Sequence, residues 1–380
     1  MRTGGLLLFW TSFCAASEAA CLDHVSFVHD GTPREVKVFT PRCDEGDRAF
    51  PNNSLPLLFA VHCFGCTYRQ MEHWAAEARA FNFVLVLPLE SKPGAGFNAV
   101  SCCGEAARSN VDDIGFLRAA AERVAARVRE AAHPPVAYGI GWSNGGFLVA
   151  LDALDAAASG APRLFRAIAP ISGYQYSVDA VARLEPPLPV LLHHGIDDRN
   201  VRFDGCCDRL ASPASGGSSA RPCCCGIGKG ATECVGVRDV IGAGYRAANR
   251  CAGEMSDTAI ADLDAPRRRA SAGDIRAPRT LRAGGGARTR ASGAAVKPHH
   301  SARCQSLSGC AANTTVCVHG RGAGHLNSPS HDIAFDRGHR EEIARFFARD
   351  ACALGGGVWS DGACDCNEER GGPYCGVLSR

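Results

Sequence analysis

Between residues 57 and 195, short and predominantly apolar runs alternate with longer stretches in which apolar residues recur every three or four positions. The runs Leu57–Val61, Phe83–Pro88, Val136–Ile140, Phe165–Pro170 and Pro189–His193 have the length and apolar character of buried strands. Stretch 67–80, the segment opening near Asn110 and Asp112, and the Ala/Leu-rich segment after Gly145 have helical spacing. In the second of these, Ile114, Leu117, Ala121, Val124 and Val128 share one face, and Asn110 or Asp112 is the candidate N-cap. Strands alternating with helices predict an α/β fold, a mostly parallel sheet covered on both faces. Upstream, HVSFVHDGTPREVKVFTP alternates apolar and polar residues around Asp30-Gly31, a β-hairpin pattern. Downstream, 235–251 reads as helix ending in Cys251. TVCVHGRGAGH then reads as strand and loop, and an amphipathic helix runs through Ile343, Phe346 and Phe347.

Two stretches break the pattern. Residues 205–233 are rich in Cys, Ser and Gly and read as a crosslinked loop. Residues 262–303 are dominated by Arg, Ala, Gly and Pro with almost no large apolar side chain, so they cannot offset ordering entropy and are expected to form a disordered insertion. The run Arg267-Arg268-Arg269 is read there as solvated rather than as a polyanion site. The N-terminus reads MRTGGLLLFWTSFCAASEAAC: Arg2, the apolar stretch Leu6–Phe13 and Ser17-x-Ala19 predict a secretory signal over 1–19 and a secreted protein. No apolar stretch is long enough to span a membrane. A net charge of +2 gives no bulk attraction to nucleic acid or anionic lipid.

Twenty-one cysteines, less Cys14 in the signal, leave an even number, as a disulfide framework has. Neighbours such as Cys102-Cys103, Cys206-Cys207 and Cys223-Cys224-Cys225 cannot easily turn onto one tetrahedral ion, and Cys63-x₂-Cys66 has no second pair at finger spacing. No metal site is therefore expected. Asn52-Asn53-Ser54 and Asn313-Thr314-Thr315 are glycosylation sequons.

The chemistry centres on VAYGIGWSNGGFLVAL, residues 136–151. G-x-S-x-G between a strand and a helix is a nucleophile elbow, in which Gly141 and Gly145 remove side chains that would collide around Ser143. Such a serine needs a base and an orienting acid, in the chain order Ser, acid, His. Asp197 and Asp198 both follow a strand and are both candidates, although an aspartate there also caps turns. Of the histidines, His325 lies in the glycine-rich loop GRGAGHLNS after a strand and is preferred as base over His319 and His331. The oxyanion hole would use the backbone N–H of Asn144 and that of Cys63 or Phe64 after Leu57–Val61. Asp112 and Asp113 read as a helix cap and a structural hydrogen-bonding acid.

Taken together, HCFGC, FNAVSCCGEAARSNVDDIGFL, GWSNGG, HHGIDDRNV and GRGAGH resemble the secreted polyhydroxybutyrate depolymerase and feruloyl esterase family of α/β-hydrolases over about residues 25–350, apart from the insertion. The resemblance implies an α/β-hydrolase domain over 20–350, with Ser143, Asp198 rather than Asp197, and His325 as the triad. The family's H-G falls on His62-Cys63, a departure at one oxyanion position. The ending GACDCNEERGGPYCG resembles an EGF-like domain and implies a small cysteine-rich module over 351–380, with four cysteines, Cys352, Cys364, Cys366 and Cys375, where a full unit has six. The implied function is a secreted serine carboxylic-ester hydrolase, free of cofactors, acting on feruloyl or acetyl esters of plant polysaccharide or on a polyhydroxyalkanoate. Its tail would contact polymer or a cell-surface partner. The alternatives are a peptidase on the same fold and a hydrolase-fold binding or adhesion protein without strong catalysis.

Overall fold

The computed structural model describes residues 22–41, 55–100, 102–128, 136–205, 234–255, 302–320, 337–354, 357–360 and 363–365. The signal, the first sequon, Cys206-Cys207, Cys223-Cys224-Cys225, His325, His331, Cys366 and Cys375 lie outside them. By internal contacts the chain divides into two compact units, 1–168 with 340–380, and 169–339.

In the first unit, β1 (Leu22–His29) and β2 (Thr32–Phe39) form the expected hairpin. The two-residue turn has Asp30 at φ 46° and Gly31 at φ 69°, the left-handed pair that matches strand twist. β2 pairs antiparallel with β4 (Val84–Pro88), and β4 pairs in parallel with β3 (Leu57–Val61), which pairs in parallel with β5 (Ala137–Trp142). Every residue of β3, β4 and β5 is buried, which is why these runs carry no alternation. The stretch 67–80 is not one α-helix: a 3₁₀ segment, Tyr68–Trp74, leads into α1 (Ala75–Ala80). A short α2 (Gly104–Arg108) precedes α3 (Asp113–Val128), and α4 (Asn144–Ser159) follows β5. Gly160, at φ 74°, closes α4 by donating its N–H to Ala156 O at 2.9 Å.

β6 (Phe165–Ile171) carries the chain into the second unit. There α5 (Val178–Ala182) and β7 (Val190–Gly195) are followed by α6 (Val237–Asp239), which continues as a π-helical turn, Val240–Tyr245, and ends as α7 (Arg246–Ala248). β7 pairs in parallel with β9 (Thr314–His319), which pairs antiparallel with β8 (Ala302–Ser306). Ala302 and Arg303, which the sequence assigns to the end of the insertion expected over 262–303, open β8 instead; the disulfide Cys304–Cys317 ties that strand to β9, and the rest of that insertion lies outside the described residues. Cys251–Cys310 closes a second crosslink in this unit.

α8 (Arg337–Leu354) turns Ile343 and Phe347 fully inward. It runs through the boundary expected between residues 350 and 351. Buried Cys352 sits on it and is joined to Cys364 in the hairpin β10 (Val358–Ser360) and β11 (Ala363–Asp365). The first cysteine of the expected module is thus part of a helix of the main domain. Parallel strands alternating with helices, with a serine turn between β5 and α4, make this the α/β-hydrolase class. Among the described residues no helix is long and apolar enough to cross a membrane.

Candidate active site

β5 is buried end to end and delivers Ser143 directly onto the N-terminus of α4. The serine has φ 54° and ψ −112°, a conformation that a side-chain-bearing residue adopts only when its surroundings enforce it. The surroundings are backbone. A Cβ on Gly141 would collide with the carbonyl of Gly145, and a Cβ on Gly145 would collide with that of Val61 and lie 2.9 Å from His62 O. The end of β3 therefore lies directly against the start of α4. This brings the His62–Phe64 segment to the residues that follow the serine. A helix of 16 residues starting there directs its positive end at the same point.

The peptide joining Cys63 to Phe64 is held on its carbonyl side. His62 Nδ1 donates to Cys63 O at 2.9 Å, the Cys66 N–H donates to the same oxygen at 3.2 Å, and the disulfide Cys63–Cys66 closes the turn. A planar trans peptide fixes its N–H opposite its carbonyl, so these bonds also fix the direction of the Phe64 N–H. Burial, partly opposed by the Cys63 carbonyl and Glu90, pushes the His62 pKa below its ordinary value and keeps the ring neutral. The Phe64 ring lies over Gly96 and Gly104; a Cβ on Gly96 would come within 2.7 Å of it.

The loop carrying FNAVSCCG has a physical reason for its composition. Glu90 accepts the N–H of Gly94 and, at 2.7 Å, that of Gly96. Asp113 Oδ2 accepts the Asn98 N–H at 2.6 Å, and Asn98 Nδ2 donates to Val111 O at 2.9 Å. The other Asp113 oxygen pairs with Arg34 at 2.6 Å, both side chains being buried. Desolvation raises the Asp113 pKa, and Arg34 opposes that rise. Asp112 Oδ1 accepts the Gly115 N–H at 2.8 Å as the cap of α3. The two acids thus have the structural roles expected of them. Cys102 and Cys103 are bonded to each other.

The sequence implies a role only for the backbone of Asn144, yet its side chain is fully buried and engaged. Oδ1 accepts the Phe97 N–H at 2.8 Å, Nδ2 donates to Phe97 O at 2.9 Å, and Nδ2 lies 3.8 Å from Cys102 Sγ. An amide inside an otherwise apolar helix start was the one available signal.

In the second unit, Asp197 is exposed whereas Asp198 is 4% exposed. Asp198 Oδ1 accepts the N–H groups of Asn200 at 2.8 Å and Val201 at 2.9 Å, and Oδ2 lies 3.5 Å from His194 Nε2. His319 is the last residue of β9 and is fully buried, its Nε2 3.1 Å from His193 Nδ1. Burial and the neighbouring His319 and His339 hold His193 well below the usual histidine range. The structure thus brings Ser143 and Asn144 to the Cys63–Phe64 loop and seats Asp198 in a turn of its own unit. His325 and His331 lie outside the described residues.

No protein-family model matches the chain, and no curated protein does. Several solved structures are similar in part. A fluorophosphonate-binding serine hydrolase F of Staphylococcus aureus is 11% identical with a TM-score of 0.32, over 47% of this chain and 80% of that one. Est1E from Butyrivibrio proteoclasticus is 12% identical with a TM-score of 0.31, over 47% and 80% of the two chains. A thermostable esterase is 19% identical with a TM-score of 0.34, over 48% of each. The strand pairing and the serine turn, rather than these likenesses, define the fold.

Proposed function

We propose that the protein is a serine carboxylic-ester hydrolase. The observation that carries this reading is the backbone of Ser143, held at φ 54° on the N-terminus of α4 by glycines that admit no Cβ. A strained serine between a buried strand and a helix serves to expose a nucleophile. In this reading Ser143 Oγ attacks the ester carbonyl while His325 takes its proton. The tetrahedral oxyanion accepts hydrogen bonds from the N–H of Asn144 and of Phe64 or Cys63. His325 then protonates the leaving alcohol, and water repeats the cycle on the acyl-enzyme. Asp198, buried and oriented by two backbone N–H groups, holds the histidine and stabilises its cation.

The resemblance to polyhydroxybutyrate depolymerases and feruloyl esterases carries the finer part, secretion and an extracellular polymer ester as substrate. The test is a panel of acetyl, short-chain nitrophenyl, feruloyl and hydroxybutyrate-oligomer esters with the wild type and Ser143→Ala. Turnover of at least one ester that vanishes in Ser143→Ala, together with phosphonate labelling of Ser143, is the expected result. Turnover that survives Ser143→Ala would remove the reading.

A further inference from the structure

Asn144 supplies one oxyanion N–H from its backbone in the reading above, and its side chain is linked to the other through Phe97 and His62. Its amide grips the main chain of Phe97 from both sides, at 2.8 and 2.9 Å. The Phe97 ring lies against the His62 imidazole, with centroids 4.8 Å apart. That imidazole donates to Cys63 O, and so fixes the plane of the peptide whose N–H belongs to Phe64. A buried chain of contacts therefore runs from the residue after the nucleophile to the second oxyanion donor. We propose that the Asn144 side chain is a positioning residue that sets the Phe64 N–H through Phe97 and His62; the proposal rests on the esterase reading.

The second unit contains a clamp of the same chemistry. Buried Asn249 accepts the Leu188 N–H at 2.7 Å and donates to Leu188 O at 2.7 Å. A two-sided amide clamp is by itself a structural device, since it satisfies a buried N–H and C=O together. Asn249 Nδ2 also donates to Thr314 Oγ1 at 2.8 Å, and what distinguishes Asn144 for catalysis is the path beyond the clamped residue, which ends at a proposed oxyanion donor. Asn249 is therefore the internal control.

The experiment compares Asn144→Ala, Asn144→Asp and Asn249→Ala with the wild type on a soluble nitrophenyl ester. Asn144→Ala is expected to lower kcat about 10²-fold with KM within about threefold, as for a misplaced transition-state donor. Asn249→Ala is expected to lower the melting temperature while keeping kcat within about twofold. Asn144→Asp is isosteric and serves even if the alanine variant does not fold. Its ionised carboxylate faces the Phe97 carbonyl without a donor, whereas the protonated acid restores one donor and one acceptor. Its kcat relative to wild type should therefore rise as pH falls from about 8 to about 5, because burial raises a carboxyl's pKa into that range. A flat ratio, wild-type kcat in both Asn144 variants, or an equal kcat loss in Asn249→Ala would overturn the proposal. A wild type that turns over no ester would instead remove the parent reading, and this one with it.

Discussion

Asparagine at position 198 separates the charge of that side chain from its shape. Asp198 Oδ1 holds a turn by accepting the N–H groups of Asn200 and Val201, at 2.8 and 2.9 Å. Asn keeps an oxygen at that position, so both bonds persist, weakened because a neutral acceptor replaces a charged one. A charged hydrogen bond contributes about 1.5–3 kcal/mol and a neutral one about 0.5–1.5. The Val201 bond is buried and the Asn200 residue is exposed, so the loss is dominated by one bond, roughly 1 kcal/mol. That is a drop of about 2–4 °C in melting temperature for a domain of this size. Asp198→Ala removes the acceptor and leaves the Val201 N–H unsatisfied, costing about 1–3 kcal/mol. If Asp198 orients the catalytic histidine, Asp198→Asn should lower kcat by about 10³–10⁴-fold through the wrong tautomer. Asp197 is exposed, so Asp197→Asn should stay within about 0.5 kcal/mol and close to wild-type activity. The assay is initial-rate ester hydrolysis beside a thermal melt of the same samples. If Asp198→Asn keeps kcat within tenfold of wild type, or Asp197→Asn loses as much, then Asp198 only holds the turn.

Gly145→Ala should abolish productive geometry, with a loss on the order of 10²-fold or more in kcat, because the new methyl meets the Val61 carbonyl. Gly160→Ala, at φ 74° with open space around it, should cost only about 1–2 kcal/mol in a melt and leave kcat unchanged. Arg34→Met leaves the Asp113 carboxyl buried without its cation and should destabilise by about 3–5 kcal/mol in chemical denaturation. His62, His73 and His193 all have pKa values lowered by burial, His73 to about 4, so the unfolded chain binds protons that the native state does not. Stability should be full above about pH 6.5 and fall below it by up to about 1.4 kcal/mol per pH unit per histidine. Asp113 and Asp152, whose pKa values burial raises, act in the opposite sense, so melts between about pH 7 and 5 are compared between the wild type and His73→Asn to read a histidine by itself. A difference between the two that stays flat over that window would contradict the burial of the His73 ring.

The elements that the sequence determined by itself are those whose signal is local. Apolar runs made β3 to β5, two residues with φ above zero made the Asp30-Gly31 hairpin, and two glycines around Ser143 made the elbow; each pattern is complete within a few neighbours. β8 was not legible, because ARCQS carries no apolar alternation and its strand conformation comes from pairing with β9 and the Cys304–Cys317 crosslink. Disulfide partners were equally hidden: Cys352 on a buried helix meets Cys364 in a hairpin, and separation along the chain carries no record of that proximity. The choice between adjacent Asp197 and Asp198 could be made from motif resemblance, but its physical basis, one side chain turned into a buried turn and the other into solvent, is tertiary. The Asn144 clamp is of the same kind. Its partner Phe97 lies 47 positions away, and only the fold brings that loop's N–H and C=O within reach of the amide.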